Sequence, residues 1–337
     1  MGGPLGRRPA LTTPDAGMIA FARSHALLGS DVGEWEPLTG GVSSDIWHLR
    51  SSVGECCIKR ALARLKVAAN WEVPTDRNAF EWRYMEIADE VVPGSVPRPL
   101  AHDPDQGLFA MAWLAPDRHP LWKSELMRGH IDPDFAYAVG DLIGRIHGAT
   151  ADKTDVATQF ATDDNFRSIR LDPYLTEVGR RHPDLAAQLE SLVKRTASTR
   201  RVLVHGDVSP KNILVGPDGP VLLDAECAWF GDPAFDLAFC LNHLVIKARI
   251  VEAAGPALQA AFDAVLHGYL RYVGWERPEN LEERAAGLLP ALALARVDGK
   301  SPVEYLDEKQ RNALRSAARD ALKVGSGSLA EVRALLS

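Results

Sequence analysis

The sequence predicts an α+β chain with room for two domains, and three observations carry that prediction. Its 337 residues are enough to build two separate cores. The first third holds short apolar runs with period-two alternation, separated by Gly and Pro clusters, which is the pattern of strands and turns. Most of the remainder repeats apolar residues at helical spacing, interrupted by one stretch of three β-branched runs between Arg201 and Leu223.

Residues 1–12, rich in Gly, Pro and Arg, are expected to be disordered. Thr13-Pro14-Asp15 reads as a helix start with Thr13 as N-cap, ahead of Met18, Ile19, Phe21 and Ala22. Trp35 to Leu49 reads as two strands joined by a turn that contains Gly40, Gly41, Ser43 and Ser44. Cys56-Cys57-Ile58-Lys59 is the next strand, and a Lys in such a run is costly unless it is paired or faces a site. Arg77 to Glu86 is helical. Its two acids, Glu81 and Glu86, lie about 140° apart at 3.6 residues per turn, so only one can face Lys59 well. Three prolines between Val91 and Pro99 exclude a helix, and Leu108 to Leu114 is a strand broken by Ala115-Pro116.

Phe135 to His147 has the spacing of a core helix. Thr150 to Thr199 is polar and helical in part, and Ala253 to Val273 is a long Ala-rich helix. Leu288 to Ala295 is another helix, followed by Arg296, Asp298 and Gly299-Lys300-Ser301. The last triplet is not a phosphate-binding P-loop, because Leu294 stands where its first Gly belongs and the segment follows a helix. Asn312 to Leu336 is one or two helices with a break at Gly325-Ser326-Gly327.

The stretch from Arg201 to Leu244 carries the chemistry. Val202-Leu203-Val204, Ile213-Leu214-Val215 and Val221-Leu222-Leu223 read as strands, the last two joined by a turn at Gly216-Pro217-Asp218-Gly219. Polar residues stand where the strands stop: Asp207 after the first, Asn212 before the second, Asp224 and Glu226 after the third. Singly, each suits a turn. Together they supply hard oxygen ligands and one carboxylate to accept a proton, a set that suits Mg²⁺ bound to phosphate and phosphoryl transfer.

HGDVSPKN at 205–212, followed by LLDAE at 222–226 and GDPAFDLA at 231–238, resembles the aminoglycoside phosphotransferase and choline kinase-like family of small-molecule kinases. That layout parallels the H-R-D-L-x-x-x-N and D-F-G motifs of protein kinases. The resemblance implies a two-lobed, protein-kinase-like fold, with a small antiparallel sheet lobe over residues 13–115 and a mainly helical lobe over 116–337. It implies Asp207 as catalytic base, Asn212 and Asp224 as Mg²⁺ ligands, and His205 and Asp236 as supports of the loop. It casts Lys59 as the contact to the α- and β-phosphates with Glu81 as partner, and Gly40, Gly41, Ser43 and Ser44 as the loop over the nucleotide. The backbone of Ala112 and Leu114 would hold the adenine, with Met111 behind it. Glu226 would touch the second metal position or the substrate. Arg296 and Asp298 either face the substrate or form an ordinary solvated helix end. Ser209 in place of the catalytic-loop Lys, and Glu226 in place of the D-F-G Gly, separate the chain from protein kinases.

The implied cofactors are ATP, with GTP as the alternative donor, and Mg²⁺. The acceptor would be an aminoglycoside, an amino sugar, a methylthioribose-like sugar or an amino-alcohol. Two other readings stand beside this one: a catalytically silent pseudokinase, against which the full set Lys59, Asp207, Asn212 and Asp224 speaks, and a protein kinase. A net charge of −7 with no Lys/Arg run argues against nucleic acid as partner. Cys56, Cys57, Cys227 and Cys240 form no CxxC pair and read as reduced fillers. No apolar run is long enough for a membrane span, so a cytoplasmic protein is expected, its oligomeric state open.

Overall fold

The computed structural model describes residues 13–38, 44–62 and 77–336. The chain divides into two compact units, Met1–Trp82 with Pro97–Trp113, and Arg83–Val96 with Leu114–Ser337. The expected tail at 1–12 lies outside the described residues.

In the first unit, helix α1 (Ala16–Ser24) begins directly after Asp15, whose Oδ1 accepts from the Met18 N–H at 2.9 Å. The cap is therefore Asp15, two residues beyond the expected Thr13, because only Asp15 reaches that amide. Strands β1 (Glu34–Leu38), β2 (Ser44–Ser51) and β3 (Gly54–Ala61) follow, then helix α2 (Arg77–Val91), β4 (Pro99–Asp103) and β5 (Leu108–Ala112). The strands form one antiparallel sheet in the order β1-β2-β3-β5-β4. Its core joins Met18 and Phe21 of α1 to Trp47, Leu49, Cys56, Ile58 and Ala110. Period-two alternation then turns Cys57 and Lys59 to the other face of β3. Strand β4 was not foreseen. It opens on Pro99 and lies at a sheet edge, where a missing N–H costs least.

The second unit holds α3 (Trp122–Met127), α4 (Pro133–Thr150), the short helices α5 (Thr154–Gln159) and α6 (Asp163–Phe166), and α7 (Glu177–Arg181). A π-helical segment, Arg167–Thr176, joins α6 to α7. Then come α8 (Ala186–Ser198), β6 (Val202–Val204), β7 (Ile213–Gly216), β8 (Gly219–Leu222), β9 (Trp229–Gly231) and α9 (Pro233–Ala248). Helices α10 (Gly255–Leu270), α11 (Pro278–Asp298), α12 (Glu308–Val324) and α13 (Leu329–Leu336) complete it. The three expected runs are all strands, but they do not make one sheet. β7 and β8 form the hairpin, while β6 pairs with β9, a strand the sequence reading missed. Helix α9 is buried on every side, as its nearly continuous apolar sequence demands. Residues 83–96 belong to this unit: the Ser95 carbonyl accepts from the Leu222 N–H at 2.7 Å, and Tyr84 packs edge-on against His205. All four cysteines are buried and unpaired with one another, and among the described residues no helix is long and apolar enough to cross a membrane.

Candidate active site

The loop after β6 is shaped from below by Asp236, a fully buried residue of α9. Its Oδ2 accepts from the His205 N–H at 2.7 Å and its Oδ1 from the Gly206 N–H at 2.8 Å. His147, in the last turn of α4, places Nε2 3.3 Å from the same carboxylate and Nδ1 2.8 Å from the Tyr269 hydroxyl. Three helices thus fix one loop. Gly206 has φ +78°, and a Cβ there would meet Cys227 Cβ and its carbonyl at 2.8 Å, so a side chain is excluded. His205 Nδ1 accepts from the Asp207 N–H at 3.2 Å, which leaves the proton on Nε2, an atom with no hydrogen-bond partner among the described residues. Burial holds the His205 pKa below its ordinary value against the pull of Asp236 and Asp207, so the ring is neutral.

Asp207 is 3% exposed and lies against two cations. Its Oδ2 meets Arg170 Nη2 at 2.9 Å and Lys211 Nζ at 3.0 Å, whereas Oδ1 faces Ser209 Oγ at 3.5 Å. Burial alone would raise the carboxyl pKa, and Asp224 pushes the same way, but Arg170 and Lys211 outweigh them and hold it below the ordinary value. The carboxylate is ionised at neutral pH, with Oδ1 as its less engaged oxygen.

The sequence reading missed both cations. Ser209 occupies the position where protein kinases have Lys, yet Lys211, two residues on, restores the charge. Arg170 comes from the π-helical segment inside the polar stretch read only as partly helical, and its Nε donates to the Gly206 carbonyl. A Pro inside that segment, Pro173, is the sequence signal for a widened coil, since Pro disrupts ordinary helical bonding. Nothing in the sequence aims Arg170 at Asp207.

Asn212 closes the loop by donating from Nδ2 to the Asp207 carbonyl at 3.1 Å, which turns its Oδ1 the other way. Asp224 takes φ +67°, a conformation Asp tolerates better than most residues, at the bend that ends the β8 run. Glu226 is buried, and its backbone carbonyl accepts from Asn165 Nδ2 at 3.0 Å. The charges of Asp224 and Glu226 bear on Asp207 and Arg170 respectively, so these acids belong to the same cluster.

In the first unit, Lys59 and Glu81 are each 2% exposed and meet at 2.8 Å. Glu86 instead pairs with Arg83 at 3.0 Å. Ser44 is buried at the start of β2, and Gly40, Gly41 and Ser43 lie outside the described residues. Met111 and Ala112 end β5, and Leu114 follows in irregular chain. The Ala112 N–H already donates to the Arg98 carbonyl at 2.9 Å, so of its two backbone groups only the carbonyl could serve a nucleotide base.

Arg296 and Asp298 end α11. Asp298 is gripped by Arg315 at 2.7 and 2.8 Å and by His182 at 2.9 Å, which makes it a tether between helix ends. Arg296 donates to the Ser301 carbonyl at 2.6 Å and to the Tyr174 hydroxyl at 3.1 Å, holding the chain after α11. Gly299 caps that helix and follows no strand. Among the described residues no group of three His, Cys, Asp or Glu side chains is placed to hold a metal ion.

A sequence model of the phosphotransferase enzyme family matches residues 34–281. The chain belongs to this phosphotransferase family. It is 22% identical over 268 residues to methylthioribose kinase 1 of rice (Oryza sativa subsp. japonica), covering 69% of this chain and 62% of that protein. To the methylthioribose kinase of Pectobacterium atrosepticum it is 24% identical over 226 residues, covering 58% and 55%. The chain thus spans about three-fifths of the length of the curated relatives it matches. A solved amicoumacin kinase, in complex with AMP-PNP, Ca²⁺ and Ami, superposes with a TM-score of 0.57 at 14% identity, covering 94% of this chain and 96% of its own. Family and superposition agree on a two-lobed, kinase-like α+β fold.

Proposed function

We propose that this phosphotransferase-family chain moves the γ-phosphoryl group of ATP to a hydroxyl of a small molecule. The observation that carries this reading is Asp207, an ionised, buried carboxylate presented by a loop that Asp236, His147 and Arg170 hold rigid. In this reading the acceptor O–H gives its proton to Oδ1 of Asp207. A bond forms between the acceptor oxygen and the γ-phosphorus as the bond from that phosphorus to the β–γ bridging oxygen breaks, and ADP leaves with the electron pair. Positioning and charge neutralisation supply most of the rate, as is general for this chemistry.

The donor set fits Mg²⁺ by its chemistry: Asn212 turns its Oδ1 away from the Asp207 carbonyl, and Asp224 adds a carboxylate close enough to influence Asp207, and both are hard oxygen donors of the kind Mg²⁺ takes alongside phosphate and water. When bound, the ion would neutralise charge that develops on the phosphate oxygens. Lys59, braced by Glu81, is the proposed contact to the α- and β-phosphates, with Ser44, Met111, Leu114 and the Ala112 carbonyl as nucleotide contacts. ATP is the proposed donor, with GTP to be compared directly.

The test is release of ADP from Mg·ATP against a panel of aminoglycosides, amino sugars, methylthioribose, choline and hydroxy acids. Asp207→Asn should lower turnover by about 10²- to 10⁴-fold, the usual share of a general base, while a fluorescent ATP analogue still binds. Undiminished turnover would remove Asp207 from the mechanism.

A further inference from the structure

Helix α9 carries a second charged group, eleven residues beyond Asp236, that the mechanism does not use. Lys247 is 1% exposed, and among the described residues no carboxylate, carbonyl or hydroxyl accepts a hydrogen bond from its ammonium. Its ammonium lies over the face of Tyr305, with the ring centroid 5.4 Å away. Lys123 of α3 approaches the same ring at 5.3 Å, and its charge and that of Arg296 both bear on Lys247. The Tyr305 hydroxyl and Arg296 Nε are buried and likewise lack partners among the described residues. The acid in this group, Glu304, is largely exposed and bound to Lys123 at 2.6 Å. Lys123 has its acceptor in Glu304, and Arg296 Nη1 has Ser301 and Tyr174, so the ammonium of Lys247 is the cation here that is costly to bury.

The cluster adjoins the catalytic loop. Helix α3 packs against the Pro210–Asn212 turn. A run of contacts along α9 links the two places as well: Arg170 lies over the Phe239 ring at 5.8 Å, and Phe239 packs edge-on against His243 at 5.5 Å, one helical turn before Lys247. His243 is itself held neutral by burial and by these cations, so it adds no countercharge.

We infer that Lys247, with Lys123, Arg296 and the Tyr305 hydroxyl around it, receives an anionic group, a carboxylate or a phosphate, carried by the phosphoryl acceptor. The word acceptor rests on the proposed kinase reading; the anion site rests on Lys247 and its neighbours alone. The acceptor then bears a hydroxyl at one end and an acidic group at the other, and such a ligand separates this chain from kinases of purely cationic or neutral alcohols.

Two measurements keep the ideas apart. Thermal unfolding of the wild type and of Lys247→Met is followed at constant ionic strength with glycerate, glycerol 3-phosphate, glycerol or choline, and binding of a fluorescent ATP analogue is measured separately. Glycerate or glycerol 3-phosphate should raise the midpoint of the wild type, and whichever does so more strongly identifies carboxylate or phosphate. Glycerol and choline should not. In Lys247→Met the affinity for the effective anion should fall about 30-fold or more, the usual loss when a buried charge loses its partner. Absence of any anion effect, or an equal effect in the variant, overturns the site. Turnover with choline or an aminoglycoside but with no anion-bearing acceptor overturns its link to the substrate. Failure to bind the nucleotide analogue, with the anion effect intact, overturns the kinase reading and leaves the anion site standing.

Discussion

Asp207, the proposed base, is a carboxylate under restraint. Its Oδ2 is shared by Arg170 and Lys211, so the charge is stabilised on one oxygen while the other faces Ser209. The two cations differ in setting: Arg170 is buried, and Lys211 is about half exposed, so water screens the second far more than the first. Arg170→Met should therefore do two things. Removing one member of a buried pair should cost about 3–5 kcal/mol of stability in denaturant unfolding. It should also move the acid limb of the pH–rate profile to higher pH, because a carboxyl relieved of its main cation titrates higher and the base must be ionised to act. An acid limb that stays in place would mean that Arg170 serves the loop alone. Lys211→Met should shift the same limb less.

Single elements hold the site by their ends. The first turn of α9 gives Asp236 to the loop, the last turn of α4 gives His147, and the π-helical segment gives Arg170. Asp236→Ala would strand the buried N–H groups of His205 and Gly206, at about 1–3 kcal/mol each, and turnover should be lost with them. Helices α4 and α10 support this arrangement by close contact. A Cβ at Gly140 would press into the backbone of Val265 and come within 3.0 Å of the Tyr269 nitrogen. Gly140→Ala should thus push the two helices apart and lower the free energy of unfolding by about 1–3 kcal/mol, as over-packing does, measured by denaturant unfolding. Because Tyr269 also meets His147, the same change should disturb turnover although no part of Gly140 touches the loop.

Over the whole molecule, net charge misleads about the site. The chain carries −7, yet near the loop that bears Asp207 two lysines, Lys123 and Lys247, lie over one tyrosine, and the charge of Arg296 bears on Lys247. Burial, with Lys123 and Arg296, pushes the Lys247 pKa down to about 7. An unfolded lysine titrates near 10.4, so between about pH 7 and 10 the unfolded chain binds a proton that the folded chain does not, and stability rises with pH across that window. The other groups that act on Lys247 are Glu304 and Cys240, which favour its charged form only weakly by comparison. Lys247→Met should remove this pH slope and raise the melting temperature at neutral pH by several degrees, since a buried ammonium with no hydrogen-bond partner among the described residues gives way to an apolar side chain of similar length. A variant that melts lower would show that the ammonium has a stabilising partner.

Much of this protein was legible as sequence. Strands β1 and β2 follow from alternating apolar residues, β3 and β5 from short continuous apolar runs, and the Gly216–Gly219 hairpin from its turn residues, because these signals are local and physical. The choice of Glu81 over Glu86 opposite Lys59 followed from helical phase together with a resemblance of motifs, and the structure pairs Lys59 with Glu81. What lay beyond the sequence was every contact made across long separations. The pairing of β6 with β9 depends on which neighbour the fold brings alongside, as does the capture of Asp298 by Arg315 and His182. Arg170 reaches Asp207 from 37 residues away in sequence, through a widened coil with no simple periodicity. By itself the sequence determined the local elements and the identity of the phosphotransferase motif, since both are written in neighbouring residues. The tertiary structure alone decided which cations restrain Asp207 and which lysine is buried against Tyr305, because charges are placed by proximity in space and the chain order does not contain it.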